Sequence, residues 1–120
     1  MANETTSEVL KYLDEMVQAT RAGKMIWRRE NPTTFVWATA NRGKIVLQRT
    51  VANVPTQMGR PPQRVSRYVL LAMDLSDVEQ LQLQSTQGPD IDAKLRNLYV
   101  EIESSIARRG LDFLKSILPG

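Results

Sequence analysis

The chain has no cysteine and no histidine. Without cysteine there is no disulfide, no thiolate nucleophile and no zinc–sulfur site. Without histidine the usual near-neutral general base and the commonest metal ligand are missing. Aromatics are sparse, 6% of 120 residues, so a core of this size needs most of them. The longest apolar run, Tyr68 to Met73, is far short of a membrane span. The opening residues Met1-Ala2-Asn3-Glu4 are polar and acidic, the wrong chemistry for a signal peptide. These absences predict a cytoplasmic protein with no cofactor, no metal site, no catalytic residues and no membrane partner.

What is present is ordinary globular composition, 42% apolar and 24% charged, enough for one domain over residues 1–120. The charge is uneven. Ten of the sixteen basic residues lie between Arg21 and Arg67 against one acid, Glu30, giving +9, while each flank carries −3. Clustered charge creates a field that selects partners.

The hydrophobic period predicts helix, strands, then helix. Over residues 5–22, Val9, Leu10, Leu13, Met16, Val17 and Thr20 share one helical stripe. Thr5 and Glu8 have capping-box spacing, and Gly23 is placed to end the helix. Thr33–Thr39 and Lys44–Val51 read as a hairpin turning at Asn41-Arg42. A proline-rich loop over 53–64 leads to a third strand, Arg64–Met73, and Glu79–Ser85 alternates as a fourth. Lys24–Arg28 is a weaker candidate for a further short strand. Ile91, Leu95, Leu98, Ile102 and Ile106 form a second stripe, with Gly110 as its expected stop and a short terminal helix over 111–118. Strands segregated from helices imply an α+β fold: N-terminal helix, four-stranded antiparallel meander, long C-terminal helix and short terminal helix.

A hairpin turning at Asn41-Arg42 sets Val36 against Leu47 and Ala38 against Ile45. Pairing about the proline loop sets Leu47 against Val69 and Arg49 against Arg67. Both sheet faces are then apolar, so either helices cover both or a second subunit covers one. Arg49 facing Arg67, with Arg60 and Arg64 in the loop, is a like-charge arrangement that a carboxylate, a bound anion or solvent must offset. These four are the candidate anion- or partner-binding residues.

Catalysis finds little support. The serines have no histidine partner, and Asp74, Asp77 and Glu79 surround a turn, where aspartate serves local hydrogen bonds. Gly59-Arg60-Pro61-Pro62 lacks the residues of a phosphate loop. Two binding readings remain. Apolar faces in excess of the helices, with Trp27, Arg28, Trp37 and Tyr68 as candidate interface residues, suit a non-enzymatic adaptor that binds protein or itself as a homodimer. Cations interleaved with those same aromatics also suit nucleic acid, with the rings stacking on bases. A small-anion site is a third reading.

Overall fold

The computed structural model describes residues 4–120, with side chains from Thr6 onward, so the Thr5–Glu8 capping box falls outside the described residues. Helix α1 runs Glu4–Arg21 and buries Leu13 and Val17. Gly23, at φ 77°, ends it in the left-handed conformation that glycine adopts without strain.

Five strands follow: β1 Arg28–Asn31, β2 Thr34–Ala38, β3 Lys44–Val54, β4 Gln63–Met73 and β5 Glu79–Gln84. They form one antiparallel meander in chain order. The α+β class and helix–meander–helix order match the expectation. The count is five rather than four because residues just before Asn31-Pro32 pair with β2. A 3-10 turn, Ser85–Gln87, leads into α2, Pro89–Ile117. Gly110 does not stop this helix. Glycine costs about 1 kcal/mol in a helix interior, and Arg108 and Arg109 before it and Leu111, Leu114 and Lys115 beyond it are good helix formers, so the two expected helices are one.

Both helices lie on the same sheet face. Leu13 and Val17 of α1, Leu95, Leu98, Tyr99 and Ile102 of α2, and Phe35, Leu47, Tyr68, Leu70 and Leu83 of the sheet form one buried cluster. Asp14 meets Lys94 at 2.7 Å and Arg21 meets Glu101 at 3.2 Å. The same step along each helix separates these pairs, so the helices run parallel. Trp27 is fully buried beneath them, its indole Nε1 donating to Thr20 Oγ1 at 2.9 Å.

The register differs by one residue from the expected one. Phe35 pairs with Leu47, Val36 with Val46 and Trp37 with Ile45. Leu47 pairs with Leu70, Arg49 with Tyr68 and Thr50 with Arg67. For β2 and β3 the cause is the first hairpin turn. Thr39 Oγ1 accepts from Arg42 and Gly43 amides at 3.1 and 3.0 Å, closing a turn centred on Asn41. One step of slip exchanges the faces of a strand. Phe35, Trp37, Leu47, Tyr68 and Leu70 therefore face the helices, while Val36, Val46, Val69 and Leu71 face away, outside the main cluster.

Candidate functional site

The register separates the four arginines singled out by the sequence. Arg49 stands across from Tyr68 on the helix-facing side of the sheet, whereas Arg67 stands across from Thr50 on the other side. They are not a facing pair, and the like-charge conflict does not arise. Arg60 is exposed in the β3–β4 loop, and Arg64 is exposed at the start of β4 across from Asn53. Arg67 lines a cleft of about 440 Å³ beside the start of α2, with Arg96 and Asp92. Of the candidate interface residues, Arg28 is exposed and Trp37 is partly buried against the core. Trp27 and Tyr68 are buried.

Two arrangements were not legible in the sequence. The first is a run of three rings: Phe35 and Tyr68 each lie against Tyr99, with centroids 4.9 and 5.3 Å away. A guanidinium covers each ring. Arg29 lies 4.8 Å over Phe35, Arg49 5.7 Å over Tyr99 and Arg96 5.1 Å over Tyr68. The ring quadrupole favours a cation at its face. Arg96 also bridges Asp92 at 3.3 Å, one helical turn away. Among the described residues Arg49 and Arg29 make no salt bridge. Burial raises the Tyr99 hydroxyl pKa; Glu103 adds to this, while Arg49 and then Arg29 oppose it.

The second arrangement is the far end of α2. Arg109 donates to the carbonyl of Trp27, and among the described residues no later hydrogen bond joins this helix to the body. Beyond it the helix continues for roughly 12 Å at 1.5 Å per residue. Leu111, Phe113, Leu114, Ile117 and Leu118 on this arm are 47–66% exposed. Their three- and four-residue spacing places Leu111, Leu114 and Leu118 on one stripe and Phe113 and Ile117 on the next. The molecule is accordingly long, 59 × 37 × 27 Å, and its radius of gyration, 16.8 Å, exceeds the ~13.6 Å of a compact chain of this length.

Among the described residues no group of three or more His, Cys, Asp or Glu side chains could hold a metal ion, and no helix is long and apolar enough to cross a membrane. Comparison with protein-family models, with curated proteins and with solved structures finds no match in any of the three.

Proposed function

We propose that this chain is a non-enzymatic interaction domain of the cytoplasm, an adaptor that self-associates as a two-fold homodimer through the arm of α2. The observation that carries this is the row Leu111, Phe113, Leu114, Ile117 and Leu118, apolar and half exposed on a rigid element. From these exposures and typical side-chain areas the arm presents roughly 500 Å² of apolar surface, at the upper end of what monomers leave open. Two arms together reach about 1,000 Å², the lower bound for a specific interface. A helix carrying adjacent apolar stripes is self-complementary when its copy lies antiparallel about a two-fold axis. A second copy therefore satisfies the arm without any other partner.

Nucleic-acid binding draws less support. Arg28, Arg60 and Arg64 are exposed, yet the rings expected to stack, Trp27 and Tyr68, are turned into the core.

Size-exclusion chromatography of Phe113→Glu and Ile117→Glu tests the arm. Both positions are solvent-facing in a single chain, so folding is retained and circular dichroism is unchanged. The variants should elute later than the parent. Co-elution of parent and variants at every concentration would refute this role for the arm.

A further inference from the structure

We propose that Arg29 and Arg49 form a binding site for a phosphate group, built on the Phe35–Tyr99 ring pair and independent of the α2 arm. The two guanidinium groups come from different strands, β1 and β3, and stand over adjoining rings whose centroids are 4.9 Å apart. The rings hold both groups in place and strip water from one side of each, which prepares them for an anion.

Arg49 carries the stronger sign. Its Nε is the one buried side-chain nitrogen or oxygen among the described residues that lacks a hydrogen-bond partner. Buried polar groups are nearly always paired, and an unpaired charged donor is costly. Contact with the Tyr99 face offsets part of that cost. Its terminal nitrogens are neither sealed from solvent nor hydrogen-bonded, so they can receive an incoming group. Arg29 is exposed, and its one hydrogen bond, to the Pro32 carbonyl at 3.1 Å, leaves the rest of its fork free.

The chemistry favours phosphate over carboxylate. A carboxylate is planar, and one arginine fork can satisfy it. Two forks on separate strands suit a tetrahedral group whose oxygens point both ways. Charge agrees in sign. Arg96 is committed to Asp92, and Glu103 lies near Tyr99 without pairing with either arginine, so the surroundings remain cationic. The fit is to inorganic phosphate or a phosphomonoester, held by two residues. A polynucleotide would instead need a longer basic track.

Thermal unfolding with inorganic phosphate, set against chloride at equal ionic strength, tests the site. At about ten times the dissociation constant, Tm of the parent should rise by roughly 3–8 °C. Arg29→Ala removes an exposed side chain and Arg49→Gln keeps the unbranched stem and a polar end, so neither should prevent folding. Both should lose the rise, while Arg60→Ala in the loop should keep it. The proposal is overturned if the parent shows no rise, if either site variant keeps it, or if Arg60→Ala loses it. Stabilisation by a single-stranded oligonucleotide but not by phosphate would also overturn it, in favour of a diffuse basic surface.

Discussion

Trp27 shows how one sequence position can invite two opposite readings. Its place in the basic segment makes it a candidate for stacking, yet the structure buries it completely and binds its indole N–H to Thr20. Thr20→Val preserves the shape and removes the acceptor. The stranded donor should lower unfolding free energy by about 1–3 kcal/mol, read as a lower urea midpoint at unchanged slope. An unchanged midpoint would show that the bond adds nothing. Asp74 is the clearest titratable case. The Val78 amide is the main cause that holds its carboxylate below the ordinary range, with burial opposing and the Ser76 amide and the Gln80 side chain adding to the lowering. A carboxyl pKa depressed on folding stabilises above the unfolded value and ceases to do so as pH falls through the folded one. Asp74→Asn should therefore melt below the parent at neutral pH, and the two curves should converge below about pH 4. A gap independent of pH would exclude this charge effect.

The elements were legible because their periods are strong. The 3.6-residue stripes of α1 and α2 and the β-branched runs of β2, β3 and β4 need no tertiary information. Register was not legible, because it depends on which hydrogen bonds close a turn. Thr39 captures two amides across the β2–β3 hairpin, which sets Phe35 against Leu47, and the separate β3–β4 connection sets Arg49 beside Tyr68 rather than Arg67. The ring run with its three arginines depends on both registers and on the packing of α2 and could not be seen without them. Gly43 fixes the other side of this turn. A Cβ there would sit 2.1 Å from the Met73 carbonyl oxygen, and its φ is +133°. Gly43→Ala should cost at least about 2 kcal/mol, seen as a lower urea midpoint. Wild-type stability in this variant would mean that the β3–β4 backbone approach is looser than described. Gly110 is the converse lesson. Its neighbours favour helix strongly enough that it interrupts nothing, so a stop inferred from glycine alone hid the length of α2.

At the scale of the whole molecule, the cationic middle is spread over both sheet faces, a loop and the β1–β2 edge rather than gathered on one surface. Its most structured part is the pair Arg29 and Arg49, not the loop rim that the sequence brings to mind. Two apolar regions bear on assembly. The sheet face away from the helices holds Val36 and Val46, which their neighbours largely bury. The arm of α2 holds five large side chains that are 47–66% exposed, and it is the surface we propose for self-association. Light scattering over a dilution series measures this at its root. The parent should approach twice 13.6 kDa at high concentration and fall toward 13.6 kDa on dilution, while Leu114→Glu stays at 13.6 kDa throughout. A parent that remains at 13.6 kDa at its highest concentration would contradict self-association through the arm.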